Sequence, residues 1–599
     1  IMETRVCQNC KKEFVVDAQD FAFYQKINVP PPTFCPECRL IRRLAFRNER
    51  FLHNQTCARC GKEIISVFPK RSRLTVYCSP CWWSDEWDGL EYGADYDPSR
   101  PFLEQVRELF QKVPVMNLFG LYTTLVNSDY TNMVSYLKNC YLATYCDFSE
   151  NILYGSFIEN SKDSADNLML SKSELCYGCT HVTKCYRAFF SADSEESHDI
   201  YFSKDLVGCS YCFGSVNLRN KKYYIYNEPH TKEEFDAFLA NANLGSASAV
   251  EAYTAKAKEF WSKFPRKYYH GRHNVDVSGD YILNSKNVRD SFIVTGAEDS
   301  RFCAFVDSAG KGKMTDAYDF INFGLTSSLL YEVFQAGDQV SKILFSWLAV
   351  TNCREIEYSM FSVGSKNLFG SVGLKKREYC ILNTQYTKEE YEKLRARIVE
   401  DMNQNPYTDK GGHIYKYGEF FPPEMSPFGY NETTAQEFFP LTKEKALSQN
   451  YSWGEAEEKN YKTTLAAADL PDHIKDAADA MVGETIECAH KQTCNDQCSL
   501  AFRIIPQELE FYRKMNLPLP RYCPNCRHFQ RIAQRNTIHL YDRRCRCAGE
   551  KSDGGIYDNA VTHSPHALTE HCPNTFRTAY APEREDIVYC EACYNAEVA

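Results

Sequence analysis

The chain has 599 residues, a net charge of −10 and 28 cysteines. Its length predicts several domains, because one domain typically takes about 100–200 residues. No run reaches the ~18 apolar residues of a membrane span, and no basic, apolar leader opens the chain, so we expect a cytoplasmic protein without membrane contact. In a reducing compartment, clustered cysteines favour metal binding over disulfides.

One stretch of the sequence occurs twice, near the two ends of the chain. Residues 35–39 read CPECR and residues 523–527 read CPNCR, a shift of 488 positions. The same shift carries Cys10 onto Cys498, without a gap between the matched segments. We interpret the repeat as a duplicated cysteine module.

The amino-terminal module contains four Cys-x-x-Cys pairs. A tetrahedral zinc ion needs four ligands, and each such pair supplies two thiolates from one tight turn. Pairing the first with the second and the third with the fourth predicts two zinc sites in residues 1–83. Their predicted ligands are Cys7, Cys10, Cys35 and Cys38, and then Cys57, Cys60, Cys78 and Cys81.

The carboxy-terminal module, residues 485–599, departs from this pattern. The position that matches Cys60 is Ala548, and Cys547 stands beside it. An insertion with His563, His566, His571 and Cys572 offers alternative ligands, and Cys488 is left over. The predicted ligands are Cys494, Cys498, Cys523 and Cys526 for one site, and Cys545, Cys547, Cys590 and Cys593 for the other. Together the two modules predict about four zinc ions.

Both modules are basic. Residues 1–83 carry a net charge of +7 and residues 498–547 also carry +7, whereas residues 84–484 carry −17. Three arginines recur at helical spacing after each central cysteine pair: Arg39, Arg43 and Arg47, then Arg527, Arg531 and Arg535. One hypothesis is that they bind the phosphates of RNA. The alternative is that they pair with the acidic middle of the chain.

The middle of the chain consists of short apolar runs between Asn, Ser, Asp and Lys turns. Runs spaced roughly ten to fifteen residues apart favour a right-handed parallel β-helix, with a β-sandwich as the alternative. Residues 212–235 reappear as 368–391, a shift of 156, and each copy ends in a capping box, Thr231/Glu234 and Thr387/Glu390. We therefore predict a duplicated solenoid with helical hairpin insertions, flanked by the two zinc-ribbon modules.

These patterns give a linear domain order for a mainly β protein. The predicted domains are a double zinc-ribbon module (1–83), a linker and helix (84–113), a first β-helix half (114–230), a helical hairpin (231–265), a second β-helix half (266–386), a helix and extended connector (387–484), and a second zinc-ribbon module (485–599).

Cysteines within the predicted solenoid allow two interpretations. Cys176, Cys179, Cys209 and Cys212 have the spacing of a further zinc site. Buried free cysteines also serve as small apolar side chains, and for a β-solenoid this is the interpretation that we favour.

Five segments carry a resemblance to a known family. They read TFCPECR (33–39), YCSPCWWSDEW (77–87), CFGSVNLRNK (212–221), SPFGYNE (426–432) and LPLPRYCP (517–524). With these motifs the chain resembles a family of uncharacterised zinc-ribbon and β-helix proteins from bacteria of the candidate phyla radiation. The resemblance implies the architecture and no activity.

Three functions fit the sequence. The first is a non-enzymatic zinc protein that contacts RNA or the ribosome through the arginines of its zinc modules. The second is a structural or protein-interaction scaffold whose zinc modules cap the solenoid. The third, by analogy with other β-helices, is an enzyme that acts on a polysaccharide.

Overall fold

A computed structural model describes residues 2–307, 312–455 and 462–598. The chain divides into two compact units, each formed from two separate segments. Unit 1 comprises Ile1–Leu118 and Tyr269–Glu455, and unit 2 comprises Phe119–Tyr268 and Ala456–Ala599. The amino-terminal cysteine module therefore folds with the second repeat of the middle region, and the carboxy-terminal module folds with the first repeat. The linear domain order of the sequence does not reveal this exchange.

Unit 2 contains a series of short parallel strands. Paired residues are offset by 12, as in Ser156 with Leu168 and Ser210 with Lys222. The predicted parallel strands are confirmed, and the antiparallel sandwich is wrong for this region. The strands are Asn132–Lys138, Thr144–Leu153, Ser156–Glu159, Lys162–Ala165, Leu168–Ser171, Thr180–Thr183, Tyr186–Phe189, Ala192–Glu195, His198–Tyr201, Ser210–Phe213 and Lys222–Ile225.

A three-residue pattern underlies these strands. Tyr154, Phe157 and Asn160 have positive φ angles of 48–58°, so the chain turns at every third residue. The side chains of intervening residues, such as Ile158 and Ser161, are buried. Buried serines also accept backbone N–H groups twelve residues further along: Ser173 N donates to Ser161 Oγ over 3.2 Å. Serine is therefore suited to the interior of these strands, because its hydroxyl satisfies a buried backbone donor.

Unit 1 contains the corresponding strands of the second repeat. The offset between partners is 12 for Arg354 and Lys366 and 13 for Ser328 and Ser341. The strands are Val275–Leu283, Lys286–Thr295, Ala297–Arg301, Ala304–Asp307, Met314–Phe323, Ser327–Phe334, Ser341–Leu344, Trp347–Val350, Arg354–Glu357, Met360–Val363, Lys366–Phe369 and Glu378–Ile381.

Each strand series ends in a tight antiparallel pairing and then a helix. In unit 2 the helices Lys232–Asn241 and Ala247–Ser262 follow, and in unit 1 the helix Lys388–Gln404 follows. The two predicted capping boxes are confirmed at the starts of the first and last of these helices. Each box satisfies backbone donors that a helix amino terminus otherwise leaves unpaired.

The two cysteine modules have the same order of elements. Each has a hairpin, two helices, a second hairpin, a two-residue strand and a terminal helix. In unit 1 these are Glu3–Val6 with Glu13–Val16, helices Ala18–Ile27 and Pro36–Leu44, His53–Thr56 with Glu63–Ser66, Val76–Tyr77 and helix Ser79–Trp83. In unit 2 they are Ile486–Glu487 with Ala501–Phe502, helices Pro506–Met515 and Pro524–Ile532, Tyr541–Arg544 with Thr575–Thr578, Val588–Tyr589 and helix Glu591–Val598.

Short elements complete the two units. The remaining α-helices, all in unit 1, are Phe102–Lys112, Thr434–Phe438 and Lys443–Ser448. The remaining two-residue strands are Val115–Met116, Leu125–Val126, Glu228–Pro229, Arg266–Lys267, Gly271–Arg272, Thr384–Gln385, Tyr407–Thr408 and Ile414–Tyr415. The 3₁₀ turns are Lys70–Ser72, Gly89–Tyr92, Tyr122–Thr124, Pro423–Met425, Tyr430–Glu432, Ala467–Asp469, Ile474–Asp476 and Asp479–Gly483. Across the described ranges, no helix combines the length and apolar character needed to cross a membrane.

The connector that follows Gln404 packs into unit 1. Phe420 and Phe421 are fully buried. The Phe420 ring lies 5.4 Å from that of Phe46 in the cysteine module, and the Phe421 ring lies 6.1 Å from that of Tyr358 in the strand series. The connector therefore fills the space between these two parts of unit 1.

Candidate metal centres

The structure brings the cysteines of both modules into groups of four. Within each group the sulfur atoms lie within 4.8 Å of one another. The groups are Cys7, Cys10, Cys35 and Cys38; Cys57, Cys60, Cys78 and Cys81; Cys488, Cys498, Cys523 and Cys526; and Cys545, Cys572, Cys590 and Cys593. The first two are the sets predicted from the sequence.

The spacing of the sulfur atoms fits a tetrahedral metal ion. Four sulfurs about 2.3 Å from a central zinc stand about 3.8 Å from one another. In each group one pair of sulfur atoms stands at this distance: Cys10–Cys35 at 3.7 Å, Cys60–Cys78 at 3.8 Å, Cys488–Cys526 at 3.8 Å and Cys572–Cys590 at 3.8 Å. These distances are far longer than a disulfide bond of about 2.05 Å. The four groups can therefore each hold a metal ion.

One backbone hydrogen bond recurs in all four groups. The amide of the third cysteine donates to the sulfur of the first over 3.2 Å: Cys35 to Cys7, Cys78 to Cys57, Cys523 to Cys488, and Cys590 to Cys545. Such N–H donors favour the thiolate, which is the form that binds metal. Burial opposes the charge on Cys57, but backbone amides outweigh it and lower the pKa of this thiol to about 6.

The third group of four contains Cys488 where the sequence predicted Cys494. Cys488, not Cys494, occupies the position equivalent to Cys7. It directly follows the strand Ile486–Glu487, and its sulfur accepts the hydrogen bond from the Cys523 amide. Nine residues separate Cys488 from Cys498, whereas two separate Cys7 from Cys10, and this insertion obscured the match in the sequence. Cys494 borders the group, with its sulfur 3.7 Å from that of Cys526.

We expect Cys488→Ser to remove one bound metal ion per chain, and Cys494→Ser to retain it. Serine cannot replace the soft thiolate beneath the Cys523 amide, whereas the Cys494 side chain lies outside the group of four. The measurement is the metal content of the two purified variants, which carry the same cysteine-to-serine change at nearby positions. Loss of metal in Cys494→Ser alone would restore the ligand set predicted from the sequence.

The fourth group of four contains Cys572 where the sequence predicted Cys547. Cys572 completes the group with Cys545, and Cys547 lies instead with His563, His566 and Cys593. Both Cys547 and Cys572 belong to the thirty-residue connection between the strands Tyr541–Arg544 and Thr575–Thr578. The connection between the equivalent strands of unit 1 has six residues. Alignment of the repeats could not assign ligands inside an insertion of this length.

The arginines of unit 1 are buried among carboxylates. Arg39 contacts Asp319 at 2.8 Å, and Arg43 contacts Glu332 at 2.6 Å. Arg42, which lies on the same helix, contacts Glu332 at 2.5 Å. Arg39, Arg42 and Arg43, with Asp319 and Glu332, are at most 2% exposed, and we call these five residues the unit 1 ion cluster. Burial would raise the pKa of Glu332, but the arginines around it lower that pKa below its ordinary value.

Unit 2 repeats this arrangement with fewer charges. Arg527 and Arg531 both contact Asp166, the latter at 3.0 Å, and Arg527 also lies 3.5 Å from Glu508. Asp166 directly follows the parallel strand Lys162–Ala165 of unit 2. In unit 1, Asp319 and Glu332 lie on parallel strands themselves. In both units the guanidinium face of the helix therefore packs on an acidic part of the strand series.

Phosphate binding by these arginines needs exposed guanidinium groups, whereas the structure buries all six side chains. Arg39, Arg43 and Arg47 are at most 1% exposed, and Arg527, Arg531 and Arg535 are at most 9% exposed. Arg47 lies beyond the end of the helix Pro36–Leu44 and pairs with Glu49. Sequence spacing identified the basic face but not the carboxylates that cover it, which lie hundreds of residues away.

The four cysteines considered as a further zinc site do not come together. Cys176 and Cys212 lie in the same inward-facing column, separated by Ala188 and Ile200. Strands about 4.8 Å apart place the two sulfurs roughly 14 Å from each other. The Cys176 and Cys179 thiols instead donate to backbone carbonyls, and burial raises the pKa of Cys179 to about 12. These features fit small buried side chains.

Comparison with protein-family models and with curated proteins finds no match to this chain. The function is therefore argued from the geometry of the cysteine groups and of the buried arginines.

Proposed function

We propose that this protein is a non-enzymatic, zinc-dependent scaffold. In this proposal the parallel strands of each unit form a right-handed β-helix, and a zinc-ribbon module covers its acidic side. The recurring offset between paired parallel strands supports the β-helix: it is 12 in the strand series of unit 2 and mostly 12 or 13 in unit 1, with a longer step of 17 between Ala297 and Met314. The right-handed sense follows the usual chirality of connections between parallel strands.

The observation that carries the proposal is the burial of the arginines against carboxylates of the strand series. Arginine binds carboxylates well in buried interfaces, because its planar guanidinium donates several hydrogen bonds at fixed angles. A charge placed there requires a partner, since an unpaired buried ion costs several kcal/mol. The pairing therefore fixes where each zinc module sits on its strands, which is a structural role.

RNA binding is the competing function, and one double variant separates the two. We expect Arg527→Met with Arg531→Met to leave Asp166 unpaired and to loosen the helix Pro524–Ile532 from unit 2. Amide exchange should become at least tenfold faster in this helix and in the strand Leu168–Ser171. The affinity for a mixed-sequence single-stranded RNA at low salt should not change.

Arg513→Met is the matched control. Arg513 lies on the helix that precedes Pro524–Ile532 and pairs with Asp479 at the surface, where it is 41% exposed. Exposed ion pairs contribute about 0–1 kcal/mol, so exchange should stay near the wild-type rate. A fall in RNA affinity in the double variant, with unchanged exchange, would favour RNA binding over the scaffold.

A further inference from the structure

A second cluster of metal-binding side chains adjoins the fourth cysteine group. Cys547, His563, His566 and Cys593 place one ligand atom each within 4.8 Å of one another. Cys593 also belongs to the group with Cys545, Cys572 and Cys590. Two sets of four potential ligands therefore share one thiol.

The two histidines are oriented as metal ligands usually are. His563 places Nδ1 3.1 Å from the Cys547 sulfur, and its Nε2 lies 2.7 Å from a carboxylate oxygen of Glu597. The Glu597 side chain is fully buried and also accepts hydrogen bonds from the Tyr557 hydroxyl and the Ala560 amide. A carboxylate in this position fixes the ring and keeps Nδ1 available for a metal.

His566 shows the same division between its two nitrogens. Its Nδ1 lies 2.9 Å from the carbonyl oxygen of Ala567, and its Nε2 lies 3.4 Å from the Cys593 sulfur. Donation from Nδ1 to the carbonyl leaves the Nε2 lone pair directed at the thiol cluster. Both rings thus direct a ligand nitrogen at the same place.

We propose that Cys593 bridges two zinc ions in unit 2. One ion is held by Cys545, Cys572, Cys590 and Cys593, and the other by Cys547, His563, His566 and Cys593. The protein then binds five ions, one more than the number of groups of four cysteines.

Charge supports two ions rather than one. Five thiolates crowd this part of unit 2, and all five cysteines are at most 5% exposed. A single divalent ion would leave Cys547 outside its coordination sphere and would offset less than half of that negative charge. Two divalent ions and two neutral imidazoles bring the cluster close to neutrality, as a buried site requires.

The equivalent part of unit 1 provides an internal comparison. There the connection between the hairpin strands spans only residues 57–62, and the group Cys57, Cys60, Cys78 and Cys81 stands where unit 2 has the fourth group. The longer connection in unit 2, residues 545–574, contributes Cys547, His563, His566 and Cys572. The insertion that hid the ligands from sequence alignment is therefore the segment that builds the second site.

A competing reading is a reactive cysteine. Cys547, His563 and Glu597 stand in the order of a nucleophile, a base and an orienting acid. That arrangement does not require His566 or Cys593, and Cys547 is fully buried. The convergence of four ligands favours the metal.

The test is cadmium-113 NMR of the full chain after replacement of zinc by cadmium. Two ions that share the Cys593 thiolate should give a pair of resonances split by coupling through that sulfur. The wild-type protein suffices for this measurement, so it does not depend on the folding of a variant. Absence of a coupled pair would overturn the proposal.

Zinc quantification gives a second readout. His563→Ala with His566→Ala should lower the zinc content by one ion per chain and abolish the coupling. His571→Ala is the control, because His571 lies in the same insertion but contacts Asp553, at 3.0 Å, and is not in either group. Unchanged zinc in the double variant, or rapid alkylation of Cys547 by iodoacetamide in the zinc-loaded chain, would support the reactive cysteine instead.

Discussion

Replacement of Glu332 with Gln is expected to lower the free energy of unfolding of unit 1 by about 3–5 kcal/mol. The Glu332 side chain is fully buried and contacts Arg42 at 2.5 Å and Arg43 at 2.6 Å. Glutamine has nearly the same shape but no charge, so two buried guanidinium groups would lose a counter-ion without the formation of a cavity. The loss is large because Asp319 and Glu419 are then left to balance the three buried arginines of the unit 1 ion cluster, so one buried positive charge has no compensating carboxylate.

The measurement is chemical denaturation together with amide exchange in the helix Pro36–Leu44. Exchange identifies where stability is lost, which a global transition of a two-unit chain cannot do. Glu355→Gln is the matched control, since Glu355 lies on the strand Arg354–Glu357 of the same unit and pairs with Lys342 at the surface. We expect about 0–1 kcal/mol there. An equally small effect at Glu332 would mean that the unit 1 ion cluster does not hold the module in place.

The unit 1 ion cluster shows where sequence analysis succeeds and where it stops. Helical spacing gave the face that Arg39 and Arg43 share, because a helix fixes neighbours three and four residues apart. Their carboxylate partners, Asp319 and Glu332, lie about 280 and 290 residues away in the chain. Local periodicity carries no information about such long-range contacts. The net charges of the segments indicated only that an acidic partner existed.

The candidate metal ligands could likewise be predicted from the sequence in one module but not fully in the other. In the first module the spacing of Cys7, Cys10, Cys35 and Cys38 sufficed, because no insertion separates the members of a pair. In the second module, insertions displaced Cys488 and Cys572 from their matched positions. The recurrent bond from the third cysteine amide to the first sulfur identifies the equivalent ligands, but this geometry appears only in the folded chain.

Short apolar runs in the sequence indicated the parallel strands. They did not show what sets the register between those strands. Every third residue points inward, and many inward positions hold serine or cysteine, such as Ser161, Ser173 and Cys185. Hydrophobic periodicity is a weak signal when buried residues are polar. Many of the serine hydroxyls are tolerated because they accept a backbone amide from the next coil of the chain, as Ser173 does from Cys185.

Replacement of Cys35 with Ser is expected to have the largest effect on the amino-terminal module. Cys35 is the residue that precedes the helix Pro36–Leu44, so a metal ion held by its group would join that helix to the hairpin of Glu3–Val6 and Glu13–Val16. A hairpin of two four-residue strands is not stable alone. Structural zinc sites contribute about 10–16 kcal/mol in isolated modules. We therefore expect residues 1–50 to lose one metal ion, most of their amide protection and their resistance to protease.

Cys353→Ser separates the loss of metal from the substitution itself. Cys353 is a buried cysteine of the same unit, but its thiol donates to the carbonyls of Val350 and Ser362. Serine can make the same donation, and it occupies the next position of this stack at Ser365, so stability should fall by no more than about 1 kcal/mol.

The Cys35→Ser replacement should also affect the unit 1 ion cluster. Once its amino terminus is released, the helix Pro36–Leu44 should also exchange faster, because Arg39 and Arg43 reach Asp319 and Glu332 only from a fixed helix. Full protection of this helix in a metal-depleted Cys35→Ser protein would show that the buried ion pairs hold the module without the metal.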